Sequence, residues 1–506
     1  MNAHDAHASD FECDLMTSLT IDSLVAPLPD RYERLRIDGA FLYTADPEQS
    51  VITDGSLLVV QDRIVAVGSR DQVDAYNAGL PPAAGLTRRI DATNSMILPG
   101  LVNNHWHESS ALMALGTVNE NPDDSDTTSG GMSDGADVCA ASGHFLQLFD
   151  LLEGLPPELA YLFALRSYAV QLRSGTTCVA DFGSANRPDE LARAILATGI
   201  RGVVTQYGVD GSANEAGFVR SRDTDNLLAE MEAMLSRYGQ HESGRLRAMP
   251  SALWQLTASD ELLIGVEGLA RRFDTPWGSH LAGFGNEAKE TQRCFGVRAI
   301  ERMHRLGLLS GRLISVHTAY ANPDEFDWLI QAGVHLTYSP QKYGASGEAP
   351  IISTGLILDF LKAQAPVTFS SDGDIRPMGH MPEAMRMGWL QCNELAGDRS
   401  LLTPMKTLSM ATRVPASSLN WASDLGMLAP GMKADFFTVR LDDWRFDGMR
   451  RPLDTFLIMG GSSDVDLVAV DGRILVENRA LTFIDEAGLS RAFVHGVKGL
   501  AAHLGA

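Results

Sequence analysis

The chain has 506 residues, with 41 Lys plus Arg against 64 Asp plus Glu, a formal net charge of −23. Hydrophobic residues at 45% and charged residues at 21% are ordinary for a globular protein with a large core, which excludes disorder as the dominant state. The acidic balance speaks against nucleic acid as a partner, and no apolar run nears the roughly 20 residues that cross a bilayer, so no membrane partner is expected.

The five cysteines, Cys13, Cys139, Cys178, Cys294 and Cys392, are odd in number, widely spaced and without a CxxC pair. Neither a disulfide framework nor a zinc ribbon is expected. The first residues carry no basic region followed by an apolar one, so no secretory leader is expected and a cytoplasmic location is.

In chain order, residues 1–34 read as an acidic, irregular extension. Short alternating segments follow, RLRIDGAFLYT, GSLLVVQDRIVAVGS and RRIDATNSMILPG, the second turning as a hairpin at Gln61-Asp62. At the other end ADFFTVRL and DVDLVAVDGRILVEN have the same character, with Asp-Gly as a hairpin turn. Between these ends, apolar runs alternate with amphipathic ones. Eight runs read as strands: ILPGLVNNHWH, TTCVADF, RGVVTQYG, RLRAMPSAL, WGSHLAG, RLISVHTAY, VHLTYSP and VTFSSDG. Helical patterns separate them, several opening on Asn or Asp with Pro and closing on Gly. The pattern predicts an α/β fold, a (β/α)8 TIM barrel, with a small β-sandwich domain built from both chain ends. Boundaries are expected at 35–97 for the N-terminal part of the small domain, 98–424 for the barrel, and 425–506 for the C-terminal part plus a terminal helix. Residues 119–137, polar and without periodicity, read as a solvated loop or a lid over the barrel mouth.

The strongest chemical signal closes the first strand. His105 and His107 are two apart, so both imidazoles share one face and form half of a metal site. Trp106 then points to the opposite face and packs against helices. His280 ends the fifth strand, His317 the sixth and Asp372 the eighth, each where a barrel strand meets the mouth. Three such residues in register with an HxH are hard to explain as packing. His144, His241, His304 and His495 lack this context, as do His335 and His380.

This constellation resembles the amidohydrolase superfamily, near its branch of cytosine and guanine deaminases, S-adenosylhomocysteine deaminases and triazine hydrolases. LPGLVNNHWH, SHL, VHTAY and SSDG look like its motifs on strands one, five, six and eight. MATRVPASSLNWASDLGMLAPGMKADFFTV looks like its exit from the barrel, and the likeness runs from about Leu35 to Ile484. The resemblance implies that His105, His107, His280 and Asp372 hold one divalent metal, Zn2+ or alternatively Fe2+. It gives catalytic roles to His317 and Asp372. Relatives with two metals carry a lysine ending strand four, absent from MPSALWQLT.

One departure stands out. Deaminases of this branch carry HxxE on strand five, the glutamate protonating the ring, whereas here His280 is followed by Leu281, Ala282 and Gly283. Glu108, Glu287 and Glu290 are the substitutes at hand. Without one, low activity on cytosine, guanine and S-adenosylhomocysteine is expected. Gln206, Trp254, Gln255, Lys342 and Tyr343 follow strand ends and are candidate substrate contacts, and Arg376 could hold an anionic group.

The expected function is metal-dependent hydrolysis of a C–N bond in a small cyclic or heteroaromatic nitrogen compound, releasing ammonia or an amine through activated water. Displacement of another leaving group such as halide from an electron-poor ring is the alternative. A catalytically inactive barrel serving as a binding or assembly protein is a third reading. A homo-oligomer, most simply a dimer, is expected.

Overall fold

The eight expected strands are present and parallel: Leu101–Trp106, Thr176–Asp181, Arg201–Val204 continuing at Tyr207–Gly208, Leu246–Ala248 continuing at Ser251–Trp254, Trp277–Leu281, Leu313–His317, His335–Tyr338 and Val367–Phe369. The computed structural model describes residues 21–107, 137–182, 187–373 and 380–504. The loop 119–137, except Asp137, lies outside the described residues, as do Glu108, Arg376 and the side chain of His144.

Neighbours in sequence pair in space, first with second and onward to seventh with eighth. Every residue of the first two strands is buried, as befits strands covered on both faces. The ladder is recorded as a four-stranded and a six-stranded sheet because the third and fourth strands are interrupted, the fourth at Met249 and Pro250. Proline has no N–H to continue the ladder. Beyond the eighth strand, the Asp372 N–H donates to the His105 carbonyl at 3.2 Å, joining the last strand's exit to the end of the first.

Glycine is required where the chain enters this unit. A Cβ on Gly100 would lie 2.0 Å from Thr177 Oγ1, so only glycine lets the first two strands approach there. The connecting helices are closed by the expected caps. Helix Pro323–Ala332 opens on an Asn322/Glu325 capping box and ends at Gly333, φ 68°.

The chain ends meet in one nine-stranded sheet. Its middle strand, Thr87–Pro99, pairs in parallel with Arg34–Tyr43 and antiparallel with Phe436–Arg440, which joins the two ends. Both hairpins form where the sequence predicts them, with Asp471 (φ 55°) and Gly472 (φ 75°) at the second turn. Leu35, Ile37 and Leu57 from the N-terminal half share a core with Phe436, Leu467 and Ile474 from the C-terminal half. Buried Arg201 of the third parallel strand pairs with Asp435 (2.7 Å) and Asp471 (2.8 Å), pinning this sheet to the parallel unit.

Candidate active site

His105, His107, His280 and Asp372 converge at the C-terminal ends of the parallel strands. One ring nitrogen from each of the three histidines lies within 4.8 Å of the others. Asp372 Oδ1 is 3.2 Å from His105 Nε2 and 3.4 Å from His107 Nε2. Trp106, between the two histidines, points the other way and donates its indole N–H to Ser167 Oγ at 2.6 Å on helix Pro157–Arg173.

The rings are aimed by partners behind them. His280 Nδ1–H donates to the Leu253 carbonyl at 2.7 Å, which leaves Nε2 for the cluster. His107 Nδ1 shares a hydrogen bond with the Tyr207 hydroxyl at 3.1 Å. The backbone is bent to the same end: Ala282 (φ 50°), His317 (φ 77°) and Asp372 (φ 55°) all occupy the left-handed region, which costs energy away from glycine.

The donor set suits a divalent cation. Both ring nitrogens of His105 and Oδ2 of Asp372 are buried with no hydrogen-bonding partner among the described residues. Buried polar atoms left this way are costly unless something binds them. Burial pushes His105 down to about 4 and His280 well below its ordinary value, so both imidazoles are neutral, the form that ligates. Burial alone would raise the Asp372 carboxyl, but Lys342 and His105 together hold it well below the usual carboxylate range. Three imidazoles and one carboxylate match zinc chemistry.

A second group faces the first. His317, on the neighbouring strand end, is buried and pushed down to about 3 by burial. Its Nδ1 shares a hydrogen bond with the Tyr343 hydroxyl at 2.9 Å. Its Nε2 lies 3.7 Å from Glu348 Oε1, and His317, Glu348 and Asp372 present ligand atoms within 4.8 Å of one another. Lys342 Nζ donates to the Gly373 carbonyl at 2.7 Å and stands 3.5 Å from Glu348 Oε1 and 4.0 Å from Asp372 Oδ1. An ammonium therefore already sits between these two carboxylates.

Of the five substrate-contact candidates, Lys342 and Tyr343 reach this cluster. Gln206 donates to Glu230 Oε2 at 2.7 Å on helix Thr224–Tyr238, and its neighbour Tyr207 is the residue that meets His107. Trp254 pairs in register with His280 and stacks edge-on against Phe284. Gln255 is buried beside Met303.

Glu287 and Glu290 do not fill the gap at Gly283. Glu287 is fully buried but turns back on the chain, accepting from the N–H groups of Ala282 and Gly283, each at 2.8 Å. Burial raises its carboxyl to about 7. Glu290 is bound to Arg293 at 2.7 Å and to the Cys139 thiol. Gly283 itself abuts His317: a Cβ there would lie 3.2 Å from both Cβ and Cδ2 of that residue.

Three features escape a reading of strand-end motifs. Tyr207 was masked by its polar neighbour. Glu348 lies in a loop beyond helix Pro340–Ser346, where no periodicity marks it as buried. Asn103 and Asn104 tie the first strand to the last, Asn103 Nδ2 donating to Ser371 Oγ at 2.6 Å and Asn104 accepting from Thr368 Oγ1 at 3.1 Å.

Known proteins share this architecture. The model of the amidohydrolase family matches residues 96–475. The 5-methylthioadenosine/S-adenosylhomocysteine deaminase of Nitratidesulfovibrio vulgaris is 27% identical over 458 residues, 90% of this chain and 94% of that protein. Among solved structures, an adenosine deaminase from Xanthomonas campestris with bound zinc superposes with a TM-score of 0.76 at 22% identity, covering 94% of this chain and all of that one. The atrazine chlorohydrolase of Arthrobacter aurescens TC1 complexed with zinc gives 0.75 at 23% identity, covering 92% and 100%.

Proposed function

The chain belongs to the amidohydrolase family, and from that premise we propose that it is an aminohydrolase releasing ammonia from an amino-substituted heteroaromatic ring of the purine type. It is a hydrolase of C–N bonds outside peptides. The observation that carries the reading is the convergence of His105, His107, His280 and Asp372 in front of His317. The deaminase that aligns over nine-tenths of the chain supports the ring amine as substrate.

The roles follow from position. His105, His107, His280 and Asp372 would hold one zinc ion, which would lower the pKa of a water and supply a nucleophile near neutral pH. Asp372 takes the water's proton as the new C–O bond forms, and hands a proton to the departing amine. His317, fixed by Tyr343, orients the electrophilic carbon and relays protons. Lys342 balances the negative charge of Asp372 and Glu348. Trp254, in register with His280, is the aromatic side chain on which a planar ring would stack.

The reading extends to the architecture. The eight parallel strands close into a (β/α)8 barrel, a closure supported by the Asp372-to-His105 backbone hydrogen bond. The nine-stranded sheet curls into a small sandwich, which the core shared by its two halves supports. Domain limits near 35–97, 98–424 and 425–506 fit this division. The enzyme works in the cytoplasm as a homo-oligomer on a small-molecule substrate.

The test is ammonia release by zinc-loaded enzyme from adenosine, 5-methylthioadenosine, S-adenosylhomocysteine, guanine, cytosine and aminotriazines. A kcat/KM of roughly 10⁴ M⁻¹s⁻¹ or above on a purine amine is expected. Release of chloride from a chlorotriazine with no ammonia from any amine would favour the halide-displacing alternative, which the missing acid at Gly283 keeps open.

A further inference from the structure

Hydrolysis of a ring amine needs three proton movements, and the residues assigned above serve two. As water attacks, the C=N π pair moves onto the ring nitrogen, which must then be protonated. Gly283, the position the family's acid occupies, has no side chain and its Cα faces His317. Glu287 and Glu290 are held elsewhere by hydrogen bonds.

Glu348 is placed for the task. Its side chain is buried, at 4% exposure, beside His317 and Lys342 and within ligand reach of Asp372. Oε1 lies 3.7 Å from His317 Nε2 and 3.5 Å from Lys342 Nζ. A carboxylate is expensive to bury, and a loop glutamate has no packing reason to point inward. The lysine beside it, 3.5 Å away, offsets part of that cost. It also stands where a second cation would have to bind.

We propose that Glu348 is a catalytic residue, the carboxylate that carries a proton to the ring nitrogen in place of the missing strand-five acid. This step rests on the aminohydrolase reading. Asp372 takes the first proton as the water O–H breaks and the C–O bond forms. That proton crosses by His317 Nε2 to Glu348 and on to the ring nitrogen, which holds the former π pair. The hydroxyl of the tetrahedral intermediate then gives its proton to Asp372, which passes it to the amino group. The C–N bond breaks, ammonia leaves with the bonding pair, and a carbonyl forms. Water and a ring amine have become ammonia and a ring amide, and Glu348, His317 and Asp372 end as they began. With Glu348 in this role, the gap at Gly283 no longer argues against purine amines.

The experiment compares zinc-loaded wild type with Glu348→Gln and Glu348→Asp on the amine that wild type turns over best. Glu348→Gln is expected to lower kcat by roughly 10²-fold or more, with KM changed little. Zinc content and calorimetric affinity for the deaminated product should match wild type. Glu348→Asp, which keeps a carboxylate, should retain more turnover than Glu348→Gln and carries the test should the amide variant not fold. Turnover of Glu348→Gln within about threefold of wild type overturns the step while the aminohydrolase reading stands. So does equal loss in both variants, or zinc loss as great as in His280→Ala. A wild type that releases ammonia from no amine overturns the aminohydrolase reading and this step with it.

Discussion

Asp372 meets His105 through both its backbone and its side chain. Its main-chain N–H donates to the His105 carbonyl at 3.2 Å, and its Oδ1 lies 3.2 Å from His105 Nε2. The first and last strands of the parallel unit thus deliver two side chains of the candidate cation site to one point, from positions 267 residues apart in the chain.

One divalent metal per chain is the expected stoichiometry. His105 and His107 act as a joint clamp, so His105→Ala should lower bound metal sharply, and Asp372→Asn should do so as well. Elemental analysis after gel filtration checks this. Two tightly held metals per chain would contradict it, because Lys342 already occupies the space beside Glu348 and Asp372.

A His317 variant would separate ligation from proton handling. His317→Ala should cut turnover by roughly 10²-fold or more while leaving bound metal near the wild-type level. Tyr343→Phe removes the 2.9 Å partner of Nδ1 and should cost less, roughly tenfold, since the ring stays but is less firmly aimed. Metal loss in His317→Ala equal to that in His280→Ala would make His317 a ligand instead.

The candidate metal cluster was legible because strand geometry is simple. An HxH two residues apart shares a face whatever surrounds it, and polar residues ending buried apolar runs stand out. The alternation of short runs with capped helices likewise exposed the eight parallel strands and both hairpins. Glu348 and Tyr207 were not legible, because each reaches the cluster through tertiary placement alone. Glu348 follows a short helix in an irregular loop, and nothing local distinguishes it from exposed Glu242. Glu287 shows the converse: the sequence offers it as a substitute acid, and the fold buries it completely against three backbone N–H groups. Helical periodicity does not report which side chain at a helix start turns back into the preceding loop.

Glu287 should leave a mark on pH-dependent stability. Burial raises its carboxyl from about 4.5 to about 7, so in the folded chain it keeps a proton that the unfolded chain releases above pH 4.5. The stabilisation is present in full below pH 4.5 and is lost as pH rises through 7, levelling off above; a shift of this size corresponds to about 3 kcal/mol. Glu287→Gln has no such proton to lose. Urea unfolding at pH 5, 6 and 7.5 should show the wild-type stability falling relative to the variant. A wild type that gains on the variant as pH rises would mean that the backbone donors outweigh burial and hold the group ionised.

Restoring the family's acid at position 283 should harm rather than help. The Gly283 Cα faces His317, and a Cβ would sit 3.2 Å from both Cβ and Cδ2 of that ring, tighter than ordinary contact. The ring cannot easily yield, because Nδ1 is tied to Tyr343 and the His317 backbone already lies at φ 77°. Gly283→Ala should therefore lower kcat by a few-fold through a small displacement of His317, and Gly283→Glu by more, as a longer side chain must pass the same ring. Bound metal should persist in both, since none of its four expected ligands moves. Adding Glu348→Gln to Gly283→Glu should bring no recovery, because the new carboxyl would lie on the wrong side of a displaced imidazole. A double variant that regains wild-type turnover would show that position 283 still opens onto the ring nitrogen, and that the chain departs from its relatives there without any change in the geometry of proton delivery.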